Sequence, residues 1–267
     1  MIDLTAGLCS RSARASSAFR LNPWKKSSPA TGCVIACLDL CLRPISLSCN
    51  HTSHQSRSDL GSGYSPNRRV KAAYFLDSGI ASVVAIANGS RSQTEVAIIG
   101  CEGMTGLPVI LRAGRSPCEV FIQVEGHGQC IEAEDLVTAM RKSEGLQDIL
   151  LRFAHVFAVQ SGYTALASAH GKLEERLARS LLMAQDRIAH DELLLTHEFL
   201  SLMLGVRRAG VTVALQHFEN GGLIATSRGS IIIRDRDGLE ESANGFYGAP
   251  EAEYERLFPQ WIGTQTH

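Results

Sequence analysis

Residues 195–235 constrain this chain more than any other stretch. Thr196 stands ahead of Phe199, Leu200, Met203 and Leu204, a hydroxyl N-cap before apolar residues at helical spacing. Gly205 breaks that helix and supplies a tight turn. A second helical period follows from about Arg207 to Asn220, with Val211, Ala214, Leu215 and Phe218 on its inner face. Its outer face then carries Arg207, Arg208, Gly210, Thr212, Gln216 and His217. Gly221 and Gly222 close it. Two short apolar runs, Leu223–Thr226 and Ser230–Ile233, flank Ser227-Arg228-Gly229 and predict a hairpin with an arginine near its tip. Helix, glycine turn, helix and hairpin together make a winged helix-turn-helix, placed at residues 171–245.

Charge decides what such a unit could contact. With 26 basic and 27 acidic side chains, the chain is no uniformly basic binder. Locally the balance changes: from Arg207 to Arg236 there are five arginines against Glu219 and Asp235. Arginines in such a patch grip phosphates, and those at a helix start fork onto guanine edges. A solvated helix start would explain Arg207 and Arg208 alone. It does not explain the helices, turn and wing together, so double-stranded DNA is the expected partner.

Upstream the period shortens to that of strands. Ala72–Leu76, Ile80–Ile86, Glu95–Ile99 and Cys118–Val124 are strand-like runs, and Asn88-Gly89 is a hairpin turn between the second and third. The last run alternates, with Val120, Ile122 and Val124 on one face. Residues 67–144 therefore predict an antiparallel roll or barrel, interrupted by the glycine-rich loop Gly100–Pro108.

Between the roll and the winged unit, Leu146, Ile149, Leu150, Phe153, Val156, Phe157, Tyr163 and Ala167 form a stripe on a helix over 145–170. At roughly 37 Å, that helix either packs on its own domain or pairs with a second copy across a two-fold axis. Because a half-site reader follows it, the second reading is favoured. A further amphipathic helix is expected over Leu173–Leu182.

The first 66 residues have another composition. They hold 13 serines, seven Lys or Arg, and only Asp3, Asp39 and Asp59 as acids. Met1–Arg20 lacks the apolar face of a transit peptide. Cys33, Cys37, Cys41 and Cys49 are spaced C-x3-C-x3-C-x7-C, which matches neither zinc pairs nor ferredoxin runs. The favoured reading of 1–66 is a poorly ordered leader without a metal, and 246–267 is read as a C-terminal tail. Enzyme motifs are missing: Gly171-Lys172 lacks the preceding glycine of a phosphate loop, and there is no Gly-x-Ser-x-Gly elbow. No run of 18 apolar residues suggests a membrane span.

The stretch Leu-Gly-Val-Arg-Arg-Ala-Gly-Val-Thr-Val-Ala-Leu at 204–215 resembles the turn and recognition helix of Crp/Fnr-type transcription regulators. Glu219–Ile224 and Arg228–Asp235 resemble the end of that helix and the wing, and a weaker likeness reaches back to about Pro66. The resemblance implies an α+β fold: a β-roll sensor domain, a long dimerisation helix and a C-terminal winged helix-turn-helix. It also implies a cytoplasmic homodimer on double-stranded DNA, with RNA polymerase a candidate partner and no membrane association. The DNA-binding residues would be Thr196, Arg207, Arg208, Gly210, Thr212, Gln216 and Arg228. The effector pocket would include Gly106, Leu107, Arg115 and Ser116. Arg115-Ser116 resembles the end of the family's phosphate cassette, but Leu107 stands where its ribose-binding glutamate belongs. Cyclic AMP is therefore not expected as the effector, nor is any cofactor. Ala209 and Val213 replace polar base readers, so the operator should differ from the well-known ones. The competing reading is a ligand-binding or adaptor module whose winged helix contacts protein.

Overall fold

The computed structural model describes residues 43–47, 63–88, 92–188 and 192–259. Two three-stranded antiparallel sheets build the N-terminal domain. One has the order β1 (Arg43–Leu47), β6 (Gly126–Glu132), β2 (Ala72–Leu76). The other has the order β4 (Gln93–Ile99), β3 (Ile80–Ile86), β5 (Glu119–Val124). The expected β-roll is present, and it holds two strands beyond those expected.

The first of these, β1, corrects the leader reading, because residues 43–47 pair with Gly126–Cys130 as an edge of the roll. The metal-site reading of the cysteines at 33–49 lies outside the described residues. The second, β6, begins Gly-His-Gly, a composition depleted in strands. Glycine is needed there for close approach: a Cβ at Gly128 would stand 2.3 Å from the Phe75 carbonyl oxygen on the paired strand.

Phe75, Leu76, Ile99, Met104, Ile131 and Leu136 fill the space between the sheets. Strand β3 is buried from Ile80 to Val84 without alternation, because its sheet is covered on both faces. Ala81 and Val83 join the roll core, whereas Ile80 and Val84, with Ile98, join a second core made with the C-terminal half.

After α1 (Leu107–Ile110) and α2 (Ala133–Lys142) comes the long helix α3, Glu144–His170. Ser143 caps it, accepting from Leu146 N–H at 3.2 Å. The helix is where the sequence placed it, but its stripe is used differently. Phe153 and Val156 are 6% exposed and belong to the roll core of their own subunit. They are therefore not the face offered to a second copy. The outward side carries Leu151 and Leu166, 41% and 45% exposed, with Ala158, Gly162, Ala165 and Ala169 between and beyond them.

An extended break at Gly171 and Lys172 leads into α4, Leu173–Arg187, which runs five residues past the expected end. Its last turn buries Gln185, Asp186 and Arg187. Strand β7 (Glu192–Leu193) precedes α5 (His197–Leu204) and α6 (Arg208–Asn220), and β8 (Ile224–Ser227) and β9 (Ser230–Ile233) form the wing. The three strands make a sheet of order β7-β9-β8. Beyond α7 (Arg236–Ser242), the stretch read as a tail contains α8, Ala249–Leu257. This helix returns to the first domain: Tyr254 and Phe258 are 5% and 1% exposed within the roll core. Aromatic residues there add large apolar area, which is why the segment is anchored.

Candidate nucleic-acid interface

The turn between α5 and α6 is made by local chemistry. Thr196 accepts from Phe199 N–H at 3.1 Å and starts α5. Gly205, at φ 64° and ψ 34°, ends it in the left-handed region that a side chain resists. Its N–H reaches Leu202 O at 3.2 Å, and Val206 N–H reaches Ser201 O at 3.0 Å. Val211, Ala214, Leu215 and Phe218 then pack with Phe199, Leu200, Met203 and Leu204 in one core. That core leaves the opposite face of α6 in solvent.

On this face Arg207, Arg208, Ala209, Val213, Gln216 and His217 are exposed. Arg228 is exposed at the wing tip, followed by Gly229 at φ 80°. The wing is held against α6 through Glu219, which accepts from Thr226 N–H at 2.9 Å and Thr226 Oγ1 at 3.0 Å. Those bonds lower the Glu219 pKa, and they occupy the only carboxylate on α6. Arg207 and Arg208 at the start of α6, Arg228 at the wing tip and Arg234 after β9 are all exposed.

Two residues read as DNA-binding, Gly210 and Thr212, and one arginine of the basic stretch, Arg236, make contacts within the fold. Gly210 is turned toward α4, since a Cβ there would lie 3.1 Å from Leu173 Cδ2, so glycine serves packing. Thr212 is half-buried; its Oγ1 donates to Arg208 O at 3.2 Å and lies 3.0 Å from His197 Nδ1. Arg236 leaves the basic patch altogether: Nη2 reaches Asp186 Oδ1 at 2.9 Å and Tyr247 Oη at 2.6 Å, and Nη1 reaches Gln185 Oε1 at 2.6 Å. A charge count along the sequence could not separate this inward arginine from the outward ones.

The residues read as an effector pocket are dispersed in character. Gly106, at φ 90°, begins α1; Leu107 is 8% exposed and packs in the roll core. Arg115 is exposed, while the Ser116 hydroxyl accepts from Cys118 N–H at 3.0 Å and closes a local turn. None of them lines the small cleft between the roll and the winged unit, where Thr94, Glu95, Arg176 and Arg179 mix with apolar Ile98 and Met203. That junction is tied by Thr94 Oγ1 donating to Met203 O at 3.1 Å, and within the winged unit Arg176 donates to Leu204 O beside it. Phe121 meets Phe199 edge-on with ring centres 6.4 Å apart. Within it, Ser82 Oγ lies 2.6 Å from Glu95 Oε2 and 2.7 Å from Gln123 Oε1. One hydroxyl proton serves only one of these acceptors, and burial pushes the Glu95 carboxyl up to about 7.

Comparison with known proteins agrees with this geometry. Residues 175–242 match the Crp-like helix-turn-helix domain. No curated protein matches the chain. Among solved structures, a protein from Eubacterium rectale ATCC 33656, described as a regulator of the crp/fnr family, is 19% identical. Its TM-score is 0.58, with 83% of this chain and 97% of that one covered. A CRP-family transcriptional regulator from Thermus thermophilus is 17% identical with a TM-score of 0.59, covering 76% and 97%. FixK2 from Bradyrhizobium japonicum is 14% identical with a TM-score of 0.61, again covering 76% and 97%. The chain has the Crp/Fnr fold, a β-roll joined by a long helix to a C-terminal helix-turn-helix.

Proposed function

We infer that this chain, which carries a Crp-like helix-turn-helix domain on the Crp/Fnr fold, is a sequence-specific DNA-binding transcription regulator that acts as a homodimer. The observation that carries the reading is the exposed face of α6, basic at its start, beside a wing that presents Arg228. In this reading α6 enters the major groove. Arg208 forks onto a base edge, Arg207 and Arg228 hold phosphates, and Thr196 and Gln216 touch backbone or flanking bases. The second copy joins along the outward side of α3, through Leu151, Ala158, Gly162 and Leu166. Two-fold symmetry then sets the half-sites roughly 34–36 Å apart. RNA polymerase is the partner through which a bound dimer would act on transcription, in the cytoplasm.

The effector is not cyclic AMP. Leu107 is an apolar core residue, so a ribose hydroxyl would find no charge-assisted acceptor there. No catalytic role is assigned.

The test is DNA selection from a random pool, followed by salt titrations of the wild type and two variants. Arg208→Ala should relax specificity at one symmetric position, by about 1–3 kcal/mol of discrimination. Arg228→Ala should weaken all sequences alike and flatten the salt dependence. Cyclic AMP should change neither. Wild-type selectivity and affinity in Arg208→Ala would remove α6 as the reader.

A further inference from the structure

The centre of the exposed face of α6 is apolar. Successive helical residues are rotated by about 100°, so the row opposite Val211, Ala214, Leu215 and Phe218 runs through Ala209, Val213 and Gln216. Val213 is 63% exposed, whereas the core-facing residues of the same helix are at most 1% exposed. Arg208 lies at the edge of this row and not at its middle. Of the polar side chains near Val213, Thr212 is engaged with His197 and the Arg208 carbonyl and Glu219 with the wing, while Gln216 lies about one turn further along the row. The middle of the row therefore offers methyl groups, with no carboxylate to accept from cytosine N4.

In the major groove the one base that presents a methyl group is thymine. We propose that Val213, with Ala209 beside it, recognises the 5-methyl group of a thymine in each half-site. The inference rests on the DNA-binding reading above. Arg208 and Val213 are five residues apart, roughly 7.5 Å along the helix axis, which is about two base-pair steps. The thymine should accordingly lie in the same half-site as the guanine that Arg208 contacts, within a few base pairs of it.

The experiment uses the full chain and the operator it selects from a random pool. Each thymine is replaced by deoxyuridine, which pairs identically but lacks the methyl, one symmetric pair at a time, and binding is followed by fluorescence anisotropy. One position is expected to cost the wild type about fourfold per half-site, the value of one buried methyl-sized group. At that position Val213→Ala should bind the thymine and uracil operators within about twofold of each other. Circular dichroism should show that variant folded, since Val213 is outside the core. A defined operator with no uracil-sensitive position overturns this inference and leaves the DNA-binding function standing. The same methyl dependence in Val213→Ala also overturns it. Selection of no sequence at all overturns the functional reading and this inference together.

Discussion

Arg187→Met should be among the most destabilising single changes in the C-terminal half. The guanidinium is 3% exposed and its partner Glu102 is 4% exposed, with Nε 2.7 Å from Oε1. Nη1 also donates to Met183 O at 2.8 Å, and Glu102 Oε2 accepts from Gly100 N–H at 3.0 Å. Removing the arginine leaves a carboxylate buried in the loop of the roll, beside the tightly packed Gly100. Breaking one side of such a pair costs roughly 3–5 kcal/mol. In a chain near this size that corresponds to a fall in Tm of roughly 6–20 °C. Replacing both partners, Arg187→Met with Glu102→Leu, removes both charges and restores apolar contact, so most of the loss should return. Thermal and urea melts followed by circular dichroism measure all three variants. A loss below about 1 kcal/mol for Arg187→Met, or a double variant as weak as the sum of the singles, would refute the account. The same pair joins the loop 100–106 to the end of α4, so its loss should loosen the winged unit from the roll.

Two further outcomes are expected. Glu95 is held protonated up to about pH 7, against about 4.5 for an unburied glutamate. Between those values the folded chain keeps a proton that the unfolded chain has lost. Stability should therefore fall as pH rises through this window, by on the order of 2 kcal/mol for a partly buried group, and level off above it. Glu95→Gln should flatten that slope, and urea melts from about pH 4 to 8 that show the same slope in both proteins would refute it. At the proposed dimer face, Leu166→Glu should give folded monomers in sedimentation runs, because Leu166 is 45% exposed within the subunit. Phe153→Glu should instead unfold the roll, and a Leu166→Glu protein that stays dimeric removes this face.

Elements whose determinants are local were legible in the sequence. Thr196, Gly205 and the spacing of Val211, Ala214, Leu215 and Phe218 place α5, the turn and α6 within a residue or two, because a cap, a left-handed turn and a buried stripe are properties of neighbours along the chain. The strands β2 and β3 were recognised at their full extent for the same reason. The rest depended on partners distant in sequence. A stripe on α3 reveals that one face is covered; only tertiary packing decided that Phe153 and Val156 face their own roll. Glycines in β6 read against a strand until the nearby Phe75 carbonyl made their missing Cβ a requirement. Arg228 and Arg236 are chemically identical in sequence, yet one points to solvent and the other into a cluster with Asp186 and Tyr247. Periodicity and capping act over a few residues, whereas the destination of a buried face or a charge depends on what the fold brings opposite it.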